Sequence, residues 1–238
     1  MSLALSAALA LGALAAPPPG GRQGQRAPAR VIDHGSRASR EIALTFDACS
    51  GRPPGRLDEG VLAALAAAKA PATVFAGGRW AEQDPSRVRA LLAAGIEVES
   101  HAFGHPHLPS LSDAALSREL SRALSSLRAL GAKPRFLRAP YVDADARVVR
   151  AARALGLRVV RGDVASGDPD PKFSAKILTR WVLSRARGGS IVILHVNGHG
   201  VHTAEALPAI IAGLRQEGLE PVTLAALIGS QGGQRTGR

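Results

Sequence analysis

The sequence predicts an α/β fold, an incomplete or distorted (β/α) barrel of about seven parallel strands in a single domain. Short apolar runs alternate with longer stretches of helical period along most of the 238 residues. No Gly-x-Gly-x-x-Gly turn follows an early strand, which favours a closed or nearly closed barrel over a dinucleotide-binding sheet. Ionisable side chains fall just after the predicted strands, where a barrel of this kind builds its chemistry.

The elements follow in order. Residues 41–46 read as a buried strand, and a Gly/Pro-rich loop leads to a helix over 57–69. That helix carries Leu57, Val61, Leu62 and Leu65 on one face. Residues 72–76 form a second strand, and Asp84 caps a helix ending at Gly95. A strand over 96–100 precedes a helix over 112–130, stopped by Gly131 and Pro134. Strands at 135–138 and 157–161 flank a helix at 143–155. A helix at 174–187 precedes the most hydrophobic strand, 190–194. Thr203 opens a final long helix ending at Gly218, before a strand at 220–223 and a short helix.

The ends differ in composition from this rhythm. Residues 3–16 are uncharged Leu, Ala, Ser and Gly, closing on Ala13-Leu14-Ala15 before three prolines. That pattern predicts a signal peptide over 1–16, too short for a membrane span, although no Lys or Arg precedes it. A disordered or buried apolar tail is the alternative. Residues 17–39 read as a linker, 40–229 as the barrel and 230–238 as a tail. The expected location is therefore periplasmic or secreted, with no integral membrane segment after leader cleavage.

The formal net charge is +11. Arg118, Arg122, Arg128, Arg147, Arg150 and Arg153 are scattered through predicted helices, and no nucleic-acid-binding motif accompanies them. A basic surface suited to retention near anionic cell-wall polymers fits the charge at least as well as a nucleic-acid interface, and without a motif no nucleic-acid partner is expected. Cys49 is the only cysteine, which excludes an intrachain disulfide.

His101-Ala102-Phe103-Gly104-His105 places two imidazoles four residues apart. In one helical turn such a pair shares a side and can hold a divalent ion, although paired histidines also occur in cores. Strand ends supply the other candidates: Asp47 after the first, Arg138 and Tyr141 after the fourth, Asp163 and Asp168 after the fifth, and His195 on the hydrophobic one. His107 reads as a bystander, His199 and His202 as exposed loop residues, and Trp80 and Trp181 as packing.

Taken in order, Thr45-Phe46-Asp47, Ser100 to Leu108, Arg138-Ala139-Pro140-Tyr141, the Asp168 region and Ile193-Leu194-His195 resemble the polysaccharide deacetylase family. This is the NodB homology domain of the family four carbohydrate esterases, and the likeness runs over roughly residues 40–228. The resemblance implies hydrolysis of the N-acetyl amide of an amino-sugar polymer (peptidoglycan, chitin oligomer or poly-N-acetylglucosamine), with release of acetate. It implies a divalent metal held by His101 and His105, zinc first, with cobalt, manganese or nickel as alternatives. Asp47 matches the catalytic base, Arg138 the arginine that holds it, His195 the general acid and Asp168 the carboxylate orienting His195. Tyr141 follows the motif whose backbone N–H helps bind the oxyanion. Tyr141 and Pro140, with Asn197 from the Asn197–Gly200 loop, are the expected substrate contacts.

The chemistry agrees with those roles. Amide hydrolysis needs an acidified water, a stabilised oxyanion and a proton for the departing amine. The pattern departs from the family at Ala48, where a second Asp usually binds the metal. Three outcomes stay open: His101 and His105 hold the ion with water or Asp47, Cys49 supplies a thiolate, or the site binds metal weakly. The side chain at Cys49 is expected to point elsewhere from the strand end. Pro169 and Val142 replace the family's usual Trp and Gly on the substrate rim. A silent carbohydrate-binding homologue and a hydrolase of another amide on the same barrel are the alternatives.

Overall fold

A computed structural model describes residues 30–50 and 55–229. The expected leader, most of the expected linker and the expected tail lie outside the described residues. Among the described residues, eight strands form one sheet in the order β5-β4-β3-β2-β1-β7-β6, with β8 against the opening residues of β1. Every pairing is parallel. The strands are β1 Glu41–Ala48, β2 Thr73–Ala76, β3 Glu97–Ser100, β4 Phe136–Leu137, β5 Arg158–Val159, β6 Val164–Ala165, β7 Ile191–His195 and β8 Glu220–Val222. The helices are α1 Glu59–Ala67, α2 Gly78–Gln83, α3 Pro85–Ala93, α4 Asp113–Ala129, α5 Ala146–Ala154, α6 Ala175–Leu183, α7 Thr203–Gln216 and α8 Leu224–Gly229. The result is a curled half-barrel with helices around it, a distorted (β/α) barrel in one domain.

Alternation along β1 explains why its sequence reads as a continuous apolar run. Ile42, Leu44, Phe46 and Ala48 face the outer layer and pack with Val61 and Leu65 of α1, Val88 and Leu91 of α3, and Leu207 and Ile210 of α7. Over β4 and β5, Leu116, Leu120 and Leu124 of α4 and Val148 of α5 cover Leu137 and Val159. The other face of the sheet encloses Ala43, Phe75, Phe136, Val160 and Ile191. Leu224, Leu227 and Ile228 of α8 join that cluster, so the last helix plugs the amino-end pole of the barrel.

Helix starts follow capping chemistry. The Asp58 carboxylate accepts from Gly60 and Val61 N–H, Asp84 from Ser86 with Pro85 next, Ser112 from Ala115, and Asp145 from Val148. Gly95 and Gly131, read as helix stops, have φ of 73° and 94°, a region glycine enters without a Cβ clash.

Four differences from the sequence reading have local causes. The short helix α2 precedes Asp84; it starts on Gly77 with no side-chain cap, which removes the usual start signal. Strand β6 is two residues long and follows Gly162, too short for periodicity to register. Strand β4 also shrinks to two residues, because Glu99 competes for its neighbours: its carboxylate accepts from Arg135 N (2.6 Å) and Phe136 N (2.7 Å). Residues 30–39, read as linker, lie along the sheet, with Ile32 bridged to Val160 and Arg37 paired to Asp163 at 2.7 Å.

Candidate active site

Adjacent parallel strands bring Asp47 and His195 together, for they are register partners on β1 and β7. Asp47 is 5% exposed, and Arg138, wholly buried, donates from Nη1 to Asp47 Oδ1 at 2.8 Å. Arg138 Nη2 donates to Thr45 Oγ1 at 2.8 Å, and its guanidinium lies 4.1 Å from the centre of the Phe75 ring. Burial alone would raise the Asp47 pKa. The Arg138, His101 and His195 charges and the Arg138 hydrogen bond outweigh it and hold the carboxyl below its usual value.

His101 continues the β3 ladder, its N–H donating to Ala76 O, and its Nδ1 lies 3.0 Å from Arg138 O. That contact leaves Nε2 toward the cleft, 4.0 Å from Asp47 Oδ2. The segment after it is a loop carrying Gly104 and Pro106, with no helical turn. Ala102 (φ 60°) and His105 (φ 65°) take left-handed backbone conformations, and the two imidazole centroids end 5.1 Å apart. Glu119 of α4 secures the loop by accepting from Phe103 and Gly104 N–H. Burial lowers the pKa of both rings, His105 to about 4, which favours the neutral form with a lone pair to offer.

Cys49 corrects the expectation for its side chain. It stands two residues beyond Asp47, so alternation puts both on the same side, whereas Ala48 packs into the outer layer. Cys49 Sγ and one ring nitrogen each from His101 and His105 lie within 4.8 Å of one another. Two imidazoles and a sulfur form a donor set that suits a borderline-soft divalent ion. Without such an ion, burial and the Asp47 charge push the thiol pKa up to about 11.

Asp168 is 1% exposed and meets four donors: His195 Nδ1 at 2.8 Å, His195 N at 2.7 Å, Thr203 Oγ1 at 2.6 Å and Ser166 Oγ at 3.1 Å. A Cβ at Gly200 would run into Thr203 Oγ1 and Asp168 Oδ2, so that close approach requires glycine. Burial would lower the His195 pKa, but the Asp168 hydrogen bond and charge, with the Asp47 charge, raise it overall.

Tyr141 lies across the cleft at φ 57°, 57% exposed, stacked on His107 at 3.9 Å and edge-on to His105 at 4.7 Å. The turn's bonds run from Val142 N to Ala139 O and from Asp143 N to Pro140 O, neither using the Tyr141 N–H. A cavity of about 710 Å³ joins Asp47, Cys49, the two imidazoles, Tyr141 and His195.

Some candidates lie elsewhere. Pro140 and Asn197 are buried and do not line this cavity; Asn197 Nδ2 donates to Cys49 O at 2.7 Å. Asp163 accepts from Arg37, Ser190 Oγ and Ile191 N near the start of β7. Trp80 donates to Gly55 O and Trp181 to Ala165 O, as packing residues do. His199, read as a loop residue, lines the cavity 6.4 Å from the His195 ring. Thr203, Ser166 and Glu119 escaped the sequence reading because each acts through another residue.

Residues 34–160 match the family described as Polysaccharide deacetylase, over half the chain. The chain belongs to the polysaccharide deacetylase family. It is 31% identical over 169 residues to the chitooligosaccharide deacetylase of Sinorhizobium fredii, covering 70% of this chain and 76% of that one. It is 30% identical over 199 residues to the peptidoglycan-N-acetylglucosamine deacetylase PgdA of Listeria monocytogenes, 82% of this chain and 40% of that one. The chain thus spans under half the length of the longer curated relatives it matches. Among solved structures, a family 4 carbohydrate esterase from Streptomyces lividans in complex with acetate superposes with a TM-score of 0.68 at 31% identity. That match covers 76% of this chain and 91% of the esterase.

Proposed function

We propose that this chain hydrolyses the N-acetyl amide of an amino-sugar polymer, releasing acetate and a free amine. The observation that carries the reading is the pairing of Asp47 with His195 across β1 and β7, each with its own counter-charge and His101 beside them. A divalent cation held by His101 and His105, zinc first among the candidates, would acidify a water and polarise the acetyl carbonyl. Asp47, kept ionised by Arg138, takes the proton from the attacking water. His195, kept protonated by Asp168, delivers a proton to the departing nitrogen. The Tyr141 N–H, outside the bonds of its own turn, steadies the oxyanion.

The named substrates of the relatives, chitooligosaccharide and peptidoglycan, support an N-acetylglucosamine polymer. Action outside the cytoplasm fits the apolar leader and the basic surface, and no helix among the described residues is long and apolar enough to cross a membrane. Ala48 favours one second reading, a silent carbohydrate-binding homologue. The test is acetate release from peptidoglycan, chitin oligomers and poly-N-acetylglucosamine, with and without chelator, beside the metal content of two variants. His195→Ala should abolish turnover and keep the metal, while His101→Ala should lose both. Loss of metal from the His195 variant would overturn this division of roles, and polymer binding without acetate release would support the silent homologue.

A further inference from the structure

The departure at Ala48 removes a carboxylate from the strand end, and the same strand end carries a sulfur that the proposed reaction does not use. Cys49 is buried (7% exposed), and its Sγ belongs to the cluster with the imidazole nitrogens of His101 and His105. A tetrahedral ion with bonds of ~2.0–2.3 Å separates its ligands by roughly 3.3–3.8 Å. The observed 4.8 Å span therefore closes with side-chain adjustments of about an ångström. Asp47 is a poorer candidate for the same place, since Arg138 already occupies Oδ1.

The surroundings of the sulfur are also those of a ligand. Asn197 Nδ2 sits 2.7 Å from Cys49 O and 3.5 Å from Cys49 Sγ, so one amide group fixes the main chain and directs N–H toward the sulfur. Partners of that kind orient the ligands of metal centres and tune them. A thiolate also restores the single negative charge that the missing carboxylate would have brought.

We infer that Cys49 is the third protein ligand of the cation, giving a Cys–His–His centre in which Asn197 is a positioning residue for the sulfur. This rests on the reading of the cleft as a cation site. On binding, the S–H bond breaks heterolytically: the electron pair goes to the sulfur–metal bond and the proton leaves to solvent. A soft sulfur ligand shifts preference toward zinc or cobalt and away from magnesium or manganese.

The test is spectroscopic and needs no turnover. The full chain loaded with cobalt(II) should show an intense near-ultraviolet sulfur-to-cobalt charge-transfer band, and the zinc form a sulfur shell at ~2.3 Å by X-ray absorption. Cys49→Asp should hold cobalt with the band gone, and Cys49→Ser should lack the band whatever its affinity. Asn197→Ala should displace the band in energy and weaken metal binding by about 10- to 100-fold; an unmoved band would remove Asn197 from the centre. Cobalt bound in the wild type with no sulfur band and no sulfur shell would overturn the Cys49 assignment and leave the cation reading standing. Failure of the wild type to hold cobalt or zinc at all would overturn both.

Discussion

Asp168 is held by His195, Thr203 and Ser166, and its Oδ1 faces the Nδ1 of the proposed acid. His195 has a raised pKa, so its favourable interaction is complete below the usual 6.5 and is lost as pH rises through the folded value. Asp168→Asn removes the hydrogen-bonded raising charge and leaves burial opposed only by the Asp47 charge. The alkaline limb of the pH–rate profile should then move below its wild-type position, with turnover at pH 8 down by about 100- to 10,000-fold. A limb that stays in place would detach it from His195. Asp47, the two imidazoles, Arg138 and His195 stood out in the sequence because each lies at or just after the carboxyl end of a predicted strand and bears a group of the kind amide hydrolysis demands. The place of Cys49 was not, since it depends on whether β1 runs on to Ala48, a matter of pairing with β2. Thr203 and Ser166 carry no pattern of their own; only the fold brings them to Asp168.

Among the elements, β3 and β4 meet in a single recorded register pair, Ser100 with Leu137, and the Glu99 carboxyl supplies the next contacts through Arg135 and Phe136 N–H. Burial, with the charge of Glu97, raises the Glu99 pKa to about 8 despite those two donors. The folded state therefore retains a proton that the unfolded chain releases near the usual 4.5. Its contribution to stability is complete below that value and declines until pH passes about 8. Glu99→Gln does not titrate. The stability of the variant relative to wild type should climb between those limits, by at most about 1.4 kcal/mol per pH unit, in urea unfolding at a series of pH values. A difference that stays constant with pH would show the carboxyl already ionised in the native protein. Long helices with side-chain caps were legible in the sequence, as were the strands that face two apolar layers. Two-residue strands and the uncapped α2 were not, because neither period nor cap chemistry can mark them.

At the scale of the molecule, alternation of strand and helix together with the absence of a dinucleotide turn was enough to anticipate the barrel. What it left undetermined was which strands lie side by side, because periodicity carries no information on order; β1 at the centre, flanked by β2 and β7, is what joins chain-distant residues 47 and 195. The net charge of +11 acts over the whole surface. Raising ionic strength shortens the Debye length from ~30 Å at 0.01 M to ~8 Å at 0.15 M. KM on cell-wall material bearing anionic polymers should rise over that range, while KM on neutral chitin oligomers stays level; equal responses would assign the charge no part in substrate capture. The helix that plugs the barrel has a practical corollary. Because α8 closes the pole opposite Asp47 and His195, a cross-link made to this helix lies on the far side from the cleft. A bead or surface tethered there would hold the protein with its mouth outward, free to meet an insoluble polymer.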